Sequence, residues 1–150
     1  MTGTVTVSVD SALSINVTDA KADLGGRGNV IGKLNIKASY DYRGTLVPSD
    51  VIRVVFGGIT EFEGTFGNFT ASEDEPGVYE RKDDNLHVKI DTSSGMIKLT
   101  RHKTVLSSID NSNGVEVAIT FGYSTGVDRI FMEEKRNSGR LEELTYKEHY

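Results

Sequence analysis

Leu86-His87-Val88-Lys89-Ile90-Asp91, Thr92-Ser93-Ser94-Gly95 and Met96-Ile97-Lys98-Leu99-Thr100 follow one another without a break. The first and third pieces alternate apolar and polar residues, the spacing at which an extended strand buries one face and wets the other. The middle piece is polar and ends in glycine, so it turns the chain back on itself. The stretch reads as a β-hairpin. A lone hairpin is marginally stable, and its apolar side needs further strands.

Those strands lie on both sides. Thr4-Val5-Thr6-Val7-Ser8-Val9, Leu13-Ser14-Ile15-Asn16-Val17 and Ile31 to Tyr42 repeat the alternation. Asp50 to Phe56 carries the continuous apolar run Val54-Val55-Phe56, which predicts a central strand buried on both faces. Gly57-Gly58 breaks that run, and Phe62, Phe66 and Phe69 then predict short strands or an irregular wall plugging a core. Val78 to Arg81, Val115 to Phe121 and Val127 to Met132 are further strands, with a turn expected at Ser124-Thr125-Gly126. Val105 to Ile109 fits a strand end or one helical turn. Turn signals after each run, with no internal helix of three turns, point to an all-β sandwich of about eight to eleven short strands.

The chain of 150 residues is sized for a single domain, 1–150. Within it, residues 1–24 form an N-terminal strand segment joined to the body by Gly25-Gly26-Arg27-Gly28. Residues 136–150 read as a charged tail or an edge strand, where Leu141, Leu144 and Glu148 fit a helical stripe and Leu144, Tyr146 and Tyr150 a strand. No cysteine is present, which excludes disulfides, thiolate metal sites and cysteine nucleophiles. A net charge of −5 argues against nucleic acid as partner. No apolar run is long enough for membrane insertion. Met1-Thr2-Gly3-Thr4-Val5 lacks the marks of a leader. The expectation is therefore a virion protein made without one, or a mature form with its leader removed, the latter favouring an extracellular or cell-surface location.

The order of pieces from Lys33 to Met132 resembles immunoglobulin-like β-sandwich modules of large prokaryotic surface proteins. It runs Lys33-Leu34-Asn35-Ile36-Lys37, Asp50 to Ile59, the phenylalanine stretch, Gly77-Val78-Tyr79-Glu80, the hairpin, and Val115 to Gly122. That resemblance implies spacers, adhesion units or filament subunits, with cell-surface self-assembly into oligomers.

No catalytic set stands out. His87 alternates with apolar neighbours and is expected to face solvent, His102 lies in Arg101-His102-Lys103, and His149 is near the C-terminus. No Gly-x-Ser-x-Gly elbow occurs. Asp83-Asp84, Glu73-Asp74-Glu75 and Glu133-Glu134 are sequence neighbours, which point opposite ways on a strand and do not make an acid–base pair. The chain is expected not to be an enzyme and to need no cofactor. Calcium is the sharper alternative, with Asp110, Asn111 and Asn113 as candidate ligands in the oxygen-rich loop 110–114. Glycan binding is a second alternative, drawing on Tyr40, Tyr42, Tyr79 and Tyr123. Gly25 to Gly28 departs from the dinucleotide fingerprint and reads as a connector. The leading expectation is a structural or adhesion module whose partners are copies of itself, joined by donation of an edge strand. The interface residues would be Val5, Val7, Val9, Leu13, Ile15 and Val17, with Val5, Val7 and Val9 each contributing about 1.5–3 kcal/mol at full burial. A phage tail, fibre or decoration protein is the other assembly reading.

Overall fold

In a computed structural model, residues 12–24, 31–106 and 109–148 are described. Among them are twelve strands: β1 (Leu13–Asp23), β2 (Ile31–Tyr42), β3 (Val51–Phe56), β4 (Ile59–Thr65), β5 (Thr70–Ala71), β6 (Val78–Asp83), β7 (Leu86–Asp91), β8 (Met96–Val105), β9 (Val115–Phe121), β10 (Ser124–Ile130), β11 (Glu133–Asn137) and β12 (Arg140–Lys147). The one helical piece among the described residues is a 3₁₀ turn at Phe66–Asn68. An eight-stranded sheet runs β11-β12-β1-β2-β8-β7-β6-β5, and a four-stranded sheet runs β10-β9-β3-β4. All pairings between these strands are antiparallel. The all-β sandwich is thus the observed architecture.

The deciding hairpin forms as β7–β8, with Asp91 opposite Met96 around loop 92–95. Its inward residues Val88, Ile90, Ile97 and Leu99 lie in the core with Leu34, Ile36 and Ala38 of β2. The smaller sheet contributes Ile52, Val54, Phe56, Val117, Ile119 and Phe121 to the same core. β3 has neighbours on both sides, as expected of a central strand. Its burial nevertheless alternates, Val51, Arg53 and Val55 being half-buried, because none of the described residues packs fully over the outer face of the smaller sheet.

Two expectations shift. The turn expected at Ser124-Thr125-Gly126 falls at Gly122-Tyr123, where Gly122 takes φ 64, and the triplet opens β10. Gly126 serves a close approach: a Cβ there would lie 2.9 Å from Ile15 Cγ2 and 3.2 Å from Leu13 O, so β10 lies against the backbone of β1. Residues 140–147 are neither tail nor edge. They form the second strand of the larger sheet, and the edge is β11, joined to β12 by a Ser138-Gly139 turn with both φ positive.

Four strands carry a β-bulge, at Thr18, Glu61, Lys103 and Glu142. One extra residue flips which side chains point inward. In β1 the inward set passes from Leu13 and Val17 to Ala20 and Ala22. The Val17 N–H, beside that bulge, donates to Asp128 Oδ2 at 2.8 Å and ties β1 to β10.

Candidate binding cleft and the buried carboxylate

The inner face of β2 ends in Tyr40 and Tyr42. Both rings meet Phe121 of β9 edge-on, at centroid distances of 5.0 and 5.4 Å, an arrangement that suits the aromatic quadrupole. Tyr79 of β6 points the same way, since it is paired with buried Ile90. Phe66 in the 3₁₀ turn lies 4.8 Å from the Tyr79 ring. Loop 43–50 is fixed over these rings: Val47 N–H donates to Asp50 Oδ2 at 2.9 Å, and Phe66 N–H donates to Asp50 O at 2.8 Å. Gly44 lets the loop cross closely, since a Cβ there would come within 2.7 Å of the Tyr42 ring and push its end aside.

The result is a cleft of about 230 Å³ lined by Tyr40, Tyr42, Leu46, Phe66, Tyr79 and Thr92, with Gly44 and Thr45 at its rim. No lining residue is charged. Burial, with the nearby Asp91 charge second, pushes the Tyr40 hydroxyl up to about 12, so it stays protonated. The Asp91 carboxyl is held below the usual range by the Ser94 hydroxyl and the backbone N–H groups of Ser94 and Ser93. Thr92 Oγ1 donates to Gly77 O at 2.8 Å. The hydroxyls of Tyr42, Tyr79 and Thr45 make no hydrogen bond among the described residues.

Of the four tyrosines singled out in the sequence, the fold brings Tyr40, Tyr42 and Tyr79 together. Tyr123 is fully exposed on the β9–β10 turn. His87 is half-buried on the outer face of the larger sheet, its Nε2 3.0 Å from Glu80 Oε1, and His102 is exposed. His149, Val5, Val7, Val9 and Gly25 to Gly28 lie outside the described residues. Leu13 and Val17 are buried in the chain's own core, and Ile15 is packed against it, in a strand paired with β2.

The calcium candidates have structural partners. Asp110 Oδ1 accepts the Ser112 N–H at 2.9 Å. The Asn111 amide donates to Met132 O at 2.8 Å and accepts from Met132 N–H at 3.1 Å, so it replaces a strand partner. Asn113 O accepts from Arg129 Nη1 at 3.0 Å. No group of three or more His, Cys, Asp or Glu is gathered among the described residues.

Sequence reading missed Glu61. As the bulge residue of β4 it points inward beside Phe62 and is only 2% exposed. The bulge at Lys103, with φ 56, turns Thr104 inward from the opposite sheet. The Thr104 hydroxyl lies 2.5 and 2.7 Å from the two Glu61 carboxyl oxygens. Arg101 donates to Glu61 O at 2.9 Å. Burial raises the Glu61 pKa, while the Thr104 hydroxyl and the Arg101 charge oppose the rise. The group is sealed from solvent and from the cleft, and it joins the two sheets.

No protein-family model, curated protein or solved structure matches the chain. No helix among the described residues is long and apolar enough to cross a membrane.

Proposed function

We propose that this chain is a non-catalytic adhesion module that holds a neutral saccharide in the aromatic cleft. The observation that carries the reading is convergence. Tyr40 and Tyr42, Phe66, and Tyr79 come from three separate parts of the chain and surround a cavity without charge, in a protein whose residues are 26% charged. Sugar rings offer an apolar face ringed by hydroxyls. Aromatic walls suit the face, and the hydroxyls of Tyr42, Tyr79 and Thr45 suit the rim. A cavity of about 230 Å³ is smaller than most drug-sized sites and matches a short ligand. A non-catalytic role rests on His87 pairing with Glu80 away from the cleft and on the cleft having no acid or base. The proposal does not depend on strand exchange, since the described part of residues 1–24 is paired inside its own chain.

The test is a titration of isotopically labelled protein with neutral oligosaccharides of glucose, galactose, mannose and N-acetylglucosamine, followed by NMR. At least one should shift the amides of residues 40–46, 66 and 79. Tyr79→Ala should weaken that binding at least about tenfold, the loss of roughly one aromatic contact together with its buried area. Tyr42→Phe, which keeps the packing on Phe121, should weaken it less. Silence across the panel rejects the reading.

A further inference from the structure

The outer face of the larger sheet carries a row of directly opposed residues: Lys147–Asp19–Lys37–Lys98–Lys89–Glu80. Charges alternate at its ends, as cross-strand pairing favours. The centre breaks the rule. Lys98 stands between Lys37 and Lys89, and like charges directly opposite repel. Neither Lys37 nor Lys98 has an ion-pair partner among the described residues, and the Lys89 amine is 4.0 Å from Glu75. The Glu80 carboxylate is turned to His87 at 3.0 Å. Three cations thus concentrate at the middle of a flat face in a chain of net charge −5. Shallow hollows of about 360 and 220 Å³ flank the Lys37–Lys98 pair; Asp19, Lys21, Asn35 and Thr100 border the larger one, and Lys89 and Asp91 the smaller.

From this broken alternation we infer that the Lys37–Lys98–Lys89 row binds an acidic polysaccharide bearing carboxylate or sulfate groups. A positive row selects a polyanion. Protein interfaces favour aromatic and arginine anchors and are depleted in lysine, and this row has lysines alone. Single-stranded nucleic acid needs stacking platforms, which no residue of the row supplies. Thr100 Oγ1 donates to Asn35 Oδ1 at 2.9 Å, which leaves the Asn35 amide N–H groups as donors suited to a hydroxyl-rich chain. The site is distinct from the cleft, which lies on the inner face and carries no charge.

Binding of the full chain to heparin and to polygalacturonate, by calorimetry at low salt, tests the inference, with dextran, poly-L-glutamate and oligo(dT) as comparisons. The two polysaccharides separate sulfate from carboxylate recognition. At least one should bind more tightly than all three comparisons, and binding should weaken as salt screens the lysines. Lys37→Gln/Lys89→Gln/Lys98→Gln should lose at least about tenfold in affinity, while Lys135→Gln on β11 should bind as wild type does. The triple variant should also melt higher, because repulsion is relieved, so weaker binding is not unfolding. If the triple variant fails to fold, Lys98→Gln alone must show the loss. Unchanged affinity in the lysine variants overturns the inference, as does equal or tighter binding of poly-L-glutamate or oligo(dT), or no binding of either polysaccharide. Tyr79→Ala should leave polyanion binding intact, so failure here and failure of the cleft are separate results.

Discussion

Thr104→Val tests the joint between the two sheets. The substitution keeps the shape at a buried position and removes the hydroxyl that lies 2.5 and 2.7 Å from the Glu61 oxygens. A hydrogen bond to a charged group is worth about 1.5–3 kcal/mol. For a chain of this size that is a fall in melting temperature of about 3–12 °C near neutral pH. The pH dependence gives the sharper check. Glu61 is pushed up by burial in the folded chain, so its proton is held more tightly folded than unfolded. Stability from this group is therefore fully present below the unfolded carboxyl value and is lost as pH rises through the raised folded value. Removing Thr104 removes an influence that lowers the pKa, so the variant should lose more stability than wild type over that rise. Glu61→Gln, neutral throughout and close in shape, should gain on wild type over the same range. Urea denaturation at a series of pH values from acid to neutral measures all three. If Glu61→Gln runs parallel to wild type at every pH, the carboxyl is not the titrating group. If the Thr104→Val deficit is the same in acid as at neutrality, the hydroxyl does not serve the charged form. Either result refutes the reasoning.

Two further substitutions probe the frame around the sites. Gly126→Ala places a methyl 2.9 Å from Ile15 Cγ2 and 3.2 Å from the β1 backbone, and should destabilise by about 1–3 kcal/mol in thermal or urea melts. Asn111→Ala removes both bonds to the Met132 backbone and should cost about 1–3 kcal/mol in the same assay, with no recovery on adding calcium.

Periodicity exposed the fold wherever a strand kept one phase. The β7–β8 hairpin and β2 alternate without interruption through most of their length, and their edges were legible within a few residues. The bulged strands were legible only up to the bulge. In β12, Glu142 is the extra residue, so inward Leu141 and Leu144 stand three apart and imitate a helical stripe. In β1, Thr18 shifts the inward set from odd to even positions, which hid the half from Asp19 to Asp23. The same effect hid Glu61. A glutamate between Thr60 and Phe62 reads as an outward residue until the bulge turns it in. The cleft was half legible: its tyrosines could be named as aromatics, but Phe66 and Thr45 join them only through the path of loops. The lysine row could not be seen at all. Lys37, Lys89 and Lys98 each sit in an ordinary alternating strand, and their alignment exists only once the register between β2, β8 and β7 is set.

Register also bears on assembly by strand addition. A strand adds to an edge that is long, flat and polar only in its backbone. β11 offers Glu133, Glu134, Lys135, Arg136 and Asn137, all exposed, so an incoming strand meets charge at every position but Asn137. β5 spans two residues. β4 is bent by the Glu61 bulge, and Arg53 and Glu63 pair across its outer face. β10 lies against β1 through Gly126 and the Val17–Asp128 hydrogen bond. Each described edge therefore carries one of the devices that discourage strand pairing. The chain's unusual features sit elsewhere, in a charge-free aromatic hollow between the sheets and a lysine row that violates cross-strand charge pairing. The rings around the hollow also pack against the core, whereas the lysine row opposes folding. The binding proposed for these two faces therefore uses side chains and needs no backbone addition at an edge.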